Sequence, residues 1–598
     1  MARFPHLVKQ IFNRLDDCCL VKSRTVARTW LDFIDEENNL VYPWLRIVGI
    51  PAILSEGNTY LHLAAGHGQS DIFKHILTDE VSKNPKNDFY QTPVHLACQY
   101  GGFSIVKLCA ALEMEFDGKD TDGQTVFHAA CENGHFEIAE MLMKNSAQMN
   151  IDLNLTDELY GETAFHMTCK WGHLQIAELF IKKSAQLNID LNMENEDDDT
   201  AFLLACKNNH LDIVELIIKN SIEFNIALNI KGCFGLTAFH SACDEGYLEI
   251  VKLLLNNHVQ NNDFNEVNDD DQTAFQFACK NGHADVVKLI MEKSVQLNID
   301  LNVQDKSGQT AFHLACINDH LNVVEMFMKK SYLLGIDLTI QDFDGSTGFH
   351  MACQNETAEM IMKNHIYDLN INARDNLGQT AFHIACLFGN YKVAKWMMDS
   401  STQLKIDLNI QNHFGNTGLH LACLVNSSKI VQILLEQNIS WNIRNSNGST
   451  AFHLACEKNH FETAELLMKS HMYGIDLITA SNFLNARDNF GHTGFYYACI
   501  KGCKDIVEMI LNTPEDVFFD LRDQNGCLQF ANWVQILINN FELYRDWYGN
   551  MFNQGFDRPD IFQLLILLFW TPWYYQAYSF LQNQHRTVAS GEGFWQNS

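Results

Sequence analysis

A threonine returns along this chain with a near-constant period, and that period constrains the fold more than any single residue does. It stands at Thr59, Thr92, Thr125, Thr163, Thr200, Thr237, Thr273, Thr310, Thr347, Thr380, Thr417, Thr450 and Thr493, at spacings of 33 to 43 residues. Each one opens a near-copy of the same phrase, and TAFHLAC itself occurs word for word at residues 310–316 and 450–456. Self-similarity at this period means one supersecondary unit per repeat, each hiding its apolar face only against its neighbours. A repeat array also accommodates 598 residues, a length beyond the reach of a single hydrophobic core.

The third copy shows what one unit folds into. Asp122-Gly123 supplies a turn, and the hydroxyl of Thr125 is placed to cap a helix. Phe127, Ala130 and Cys131 share one face of that helix, and Gly134 ends it. Ile138, Ala139, Met141 and Leu142 then form the apolar stripe of a second helix. The unit reads as turn, helix, loop, helix.

These residues carry a resemblance. Thr, an apolar residue, His, then Ala and Cys, followed by Gly-His, an apolar second helix and a D-x-x-G turn, resemble the ankyrin repeat across residues 57–530. The resemblance implies an all-α ankyrin-repeat solenoid of about thirteen repeats, with hairpin fingers between them. One departure is systematic: segments such as SAQLNIDLN at 184–192 lengthen many units by about four residues, so longer second helices or longer fingers are expected.

The recurring His and Cys raise the question of chemistry. Twelve of the eighteen cysteines occupy one repeat slot, with no partner nearby in sequence, so they read as reduced thiols acting as small hydrophobes. Zinc requires about four ligands at roughly 2.0–2.3 Å, and one unit offers a single His and a single Cys. The slots also vary: Leu203, Gln276 and Tyr496 replace the His, and Ala65 replaces the Cys. Neither an orienting acid nor an oxyanion device accompanies the pair, nor is there a phosphate loop. The expectation is a protein without metal, cofactor or catalytic residue. The resemblance implies that the first-helix histidines, His128 and His166 among them, hydrogen-bond neighbouring loops; those of the Gly-His slot, such as His135 and His173, read as structural by default.

Charge bears on partners. A formal net charge of -31 argues against nucleic acid, which needs a cationic face. No uninterrupted apolar segment follows the N-terminus, so no secretory signal is read and a cytoplasmic or nuclear location is expected. The family presents finger tips and first-helix ends to its partners, and the two positions after each Cys are the exposed ones. Tyr100, Trp171, Phe388 and Leu424 put large apolar groups there, as a partner-binding face would. They could instead pack on their own fingers. Carboxylate runs at 197–199 and 269–271 fit a basic partner or a solvated tip. Copy nine lacks the Gly-His loop between Cys353 and Met360, so a bend or hinge is expected there; the long connection before Thr493 is a second irregularity.

The ends depart from the repeat. Residues 1–50 read as amphipathic helices that either cap the first repeat or do something more specific. Their pattern resembles an F-box: Pro5 takes the proline, Leu7 and Val8 the next apolar pair, and Ile11, Phe12 and Leu15 the central core. Leu20, Val26 and Trp30 take the later apolar positions, while Phe4 and Ala27 depart from the usual Leu and Cys. That resemblance implies docking on a Skp-type adaptor of a cullin ubiquitin ligase, with the array (51–530) holding a protein substrate. The alternative is a scaffold without a ligase role. Residues 531–598 form a third region, in which 561–585 contain no Asp, Glu, Lys or Arg. That run reads as a helical cap, a membrane contact or a loosely folded tail.

Overall fold

In a computed structural model of the chain, the described residues are 56–79, 84–257, 263–363, 369–437, 439–472 and 482–511. The F-box-like positions and the aromatic C-terminal run lie outside them. All thirteen copies form a helix pair, from Tyr60–Gly66 with Ser70–Asp79 to Gly494–Lys501 with Lys504–Leu511. The described residues contain no strand beyond isolated bridges that close fingers, such as Thr156 with Thr163 and Gln341 with Thr347. The chain forms two compact units divided between Phe414 and Gly415, the first holding copies one to ten and the second copies eleven to thirteen.

Helices of seven residues are too short to persist alone, so stacking must stabilise them. In the third copy Phe127, Ala130 and Cys131 are buried as their spacing predicts. The second helix (Phe136–Lys144) buries Ile138, Ala139, Leu142 and Met143 and leaves Met141 half-buried. The inward stripe pairs 138 with 142 and 139 with 143, one turn apart, which puts Met143 inside in place of Met141. Neighbouring copies are stapled by aromatics: Phe180, on the second helix of copy four, has ring centroids 5.7 Å from Phe127 and 5.1 Å from Phe165.

Copies four, seven and eight put their extra residues into the second helix. Leu174–Leu187, Ala284–Leu297 and Leu321–Leu334 each run 14 residues and end at a left-handed residue, Asn188, Asn298 or Gly335. In four of the copies an asparagine beyond the second helix clamps adjacent copies. Asn192 Nδ2 donates to the Asn225 carbonyl at 2.9 Å, and its Oδ1 accepts from the Ala227 N–H at 2.8 Å. Asn154, Asn265 and Asn302 repeat the arrangement. The connection before Thr493 is partly packed, with Phe483 and Leu484 buried and the Phe483 ring 5.0 Å from Phe452.

Copy nine is truncated. Its first helix, Gly348–Ala352, has five residues, and its second, Thr357–Lys363, begins after four further positions. Asn355 Nδ2 donates to the carbonyls of Cys316 and Ile317, partly replacing the missing Gly-His contact with copy eight. Among the described residues, the buried His350 Nε2 and Thr357 Oγ1 find no hydrogen-bond partner, although the Thr357 N–H donates to Asp319 Oδ1 of copy eight at 2.9 Å.

Candidate protein-binding face

The Thr-x-x-His phrase is a reciprocal helix cap. Thr125 N–H donates to His128 Nδ1 at 3.2 Å, and the threonine hydroxyl lies 2.8 Å from the same nitrogen. Because a backbone N–H can only donate, Nδ1 is the unprotonated nitrogen and the ring proton sits on Nε2. That Nε2–H donates to the Leu155 carbonyl, 2.9 Å away at the start of the following finger. His166, His240 and His313 reach the next finger likewise, at 3.1, 3.1 and 3.0 Å. Burial drives the His128, His166 and His240 pKa values down to about 4. The Gly-His histidines reach backward, His135 to the Gln99 carbonyl and His173 to that of Glu132. Gly134 is required there twice over: its φ is +74°, and a Cβ would lie 2.5 Å from the His173 ring.

The repeat-slot cysteines are free and buried, and desolvation pushes the Cys131 and Cys169 thiols far up. A thiol held protonated beside a histidine already committed at both nitrogens is a packing element, not a nucleophile pair. Among the described residues, no group of three or more His, Cys, Asp and Glu is arranged to hold a metal ion.

Exposed apolar groups gather at the first-helix ends and the finger tips. Tyr100, Trp171 and Phe388 are 62, 54 and 55% exposed, so they do not pack away on their own fingers. Leu424 is half-buried, and Val425 beside it is the exposed residue. The first position after Cys is the last helical residue and turns partly toward the stack, whereas the second is the helix C-cap and projects outward. The structure adds a row that was not picked out from the sequence. Tyr160, Phe234, Phe343 and Leu377 stand exposed on finger turns of the first unit, and Phe490 on one of the second. Its signal was available, since an aromatic residue beside the glycine of a turn has no core to join.

Finger and first helix form one face because their charges interlock. Lys170 Nζ lies 2.8 Å from Glu162 Oε1 and 4.9 Å from the Tyr160 ring centre, and Lys207 Nζ is 2.6 Å from Asp199 Oδ2. Backbone bonds join several neighbouring tips, among them Glu196 N–H to the Tyr160 carbonyl at 2.9 Å and Asp269 N–H to the Phe234 carbonyl at 3.0 Å. No helix among the described residues is long and apolar enough to cross a membrane.

Comparison with known families agrees with this geometry. A family model of three consecutive ankyrin repeats matches seven overlapping segments: 61–157, 147–227, 187–265, 239–342, 330–412, 401–481 and 444–523. No curated protein matches the chain. With helix pairs, fingers and family match all running through the same residues, the chain belongs to the ankyrin-repeat family, whose stacked units serve protein–protein interaction.

Proposed function

We propose that this protein is a non-catalytic substrate receptor of a cullin ubiquitin ligase, its N-terminal segment docking a Skp-type adaptor and its repeat array binding the protein to be modified. The observation that carries the ligase part is the spacing of Pro5, Leu7, Val8, Ile11, Phe12, Leu15, Leu20, Val26 and Trp30, placed ahead of an interaction array. The exposed aromatics Tyr100, Trp171 and Phe388 support the substrate-binding part, since desolvated aromatic anchors supply about 2 kcal/mol or more each at interface hot spots. No chemistry is asked of the chain's own residues. Holding a substrate beside a charged transferase turns a bimolecular encounter into a local one and raises the effective concentration of its lysines.

The test is capture of the adaptor and cullin by the full chain, beside a Leu7→Asp/Trp30→Ala double variant whose helix content is checked by circular dichroism. Capture by the parent and loss in the folded variant are expected. A folded parent that captures neither protein refutes the ligase role and leaves a scaffold whose N-terminal segment only caps the array.

A further inference from the structure

We propose that the four fingers preceding copies four to seven form a comb for an extended, basic polypeptide segment that carries an apolar residue about every six positions. The proposal rests on reading the array as a protein-binding face and names the partner's chemistry. The tips alternate. The first presents Leu159 and Tyr160, the second Glu196, Asp197 and Asp198, the third Phe234, and the fourth Asp269, Asp270 and Asp271, all of them exposed.

Three observations select a basic occupant. Lys119, Lys170 and Lys207, beside the first two fingers, are already paired with Glu158, Glu162 and Asp199. Among the described residues, no ion pair reaches the side chains of the two acidic tips, and at the fourth Lys306 Nζ donates to the Asp269 backbone carbonyl. The Tyr160 ring already holds one ammonium over its face, so the apolar tips tolerate cations beside them.

The spacing fixes the register. Packed helices lie about 8–10 Å apart, which sets the step from finger to finger, and an extended chain rises about 3.3 Å per residue. One finger therefore spans about three residues, and two apolar tips separated by an acidic one span about six. The matching segment has an apolar anchor, a Lys or Arg about three residues on, a second anchor, and a second basic group. Backbone bonds between the paired tips hold this surface ready before binding, which limits the ordering cost.

The test selects random 16-residue peptides, displayed on phage, against the full chain at physiological ionic strength. Enriched peptides are then synthesised and measured by fluorescence anisotropy. Expected are peptides with the alternating basic and apolar register, binding at least tenfold more weakly to Phe234→Ser and to a variant with Asp197, Asp198, Asp269, Asp270 and Asp271 all changed to Asn. Replacing the apolar anchors of the peptide by Gly should cost as much. Enriched peptides without that register, or indifferent to both variants, overturn the comb while leaving a peptide-binding array. Stronger competition by a synthetic peptide of residues 1–34, which carries six basic and three acidic residues, assigns the comb to the chain's own terminus and overturns an external partner. No enrichment by the folded chain overturns the comb and leaves a face for folded partners.

Discussion

Thr125 and His128 divide between them work that the sequence assigned to the threonine alone. The hydroxyl does face the His128 N–H, but at 3.5 Å, and the stronger cap is the imidazole nitrogen accepting from the Thr125 backbone. Where Leu203 stands in the histidine slot, the threonine caps unaided. The arrangement requires neutral histidines, and it has a pH consequence. Unfolded histidine titrates near 6.5, whereas burial holds His95, His128, His166 and His240 at about 4. A depressed folded pKa means that the unfolded chain takes up protons first, so the contribution to stability is intact above about 6.5 and is lost as pH falls toward 4. The thermal midpoint should therefore drop steeply between pH 7 and pH 4, with several protons taken up per molecule on unfolding. A midpoint that is flat over this range would refute the neutral, doubly bonded imidazoles.

At the scale of the element, the longer units owe their length to a fastening. Asn192, which follows one of the 14-residue second helices, bridges to the next copy with both ends of its amide, and Asn154, Asn265 and Asn302 do the same. Replacing Asn192 by Ala removes two bonds of ordinary net worth. Urea unfolding should show a loss of about 1–2 kcal/mol, with little change in helix content. The aromatic staple is costlier to break. Phe180 is fully buried between the first-helix phenylalanines of two copies, and Phe180→Ala should destabilise by about 3–5 kcal/mol in the same measurement. A loss below about 1 kcal/mol for Phe180→Ala would mean that the copies close over the cavity, and that aromatic interdigitation is not what holds them.

For the molecule as a whole, the uneven distribution of these fastenings matters. In a repeat array, stability is close to a sum over neighbouring interfaces, so the weakest interface opens first. Copy nine combines a five-residue first helix with two buried polar atoms left without partners, His350 Nε2 and Thr357 Oγ1. The amides of Gly348–Ala352 should exchange with deuterium at least tenfold faster than those of Ala311–Ile317, which is two residues longer and whose His313 Nε2 bonds the Ser346 carbonyl of the next finger. Equal protection in the two helices would show that the Asn355 contacts with copy eight compensate fully. Acidic and apolar tips alternate over four fingers of the first unit, so the array is not a uniform surface.

The helix pairs, their capping threonines, the buried Phe-Ala-Cys face and the family all follow from the repeated sequence pattern alone. Thirteen copies of one pattern over-determine a local fold, because propensity, spacing and turn chemistry agree in each. The site was only partly legible. The position after the Cys marks Tyr100, Trp171 and Phe388, which are exposed, but it also marks Leu424, which is half-buried, and it does not mark the exposed aromatics of the fingers. Only the tertiary structure decided those points, along with the tautomer of His128, the orphaned His350 nitrogen and the asparagine clamps. Each depends on which atoms of the next copy come within hydrogen-bond or van der Waals reach, and that distance lies some 30 to 40 residues away along the chain.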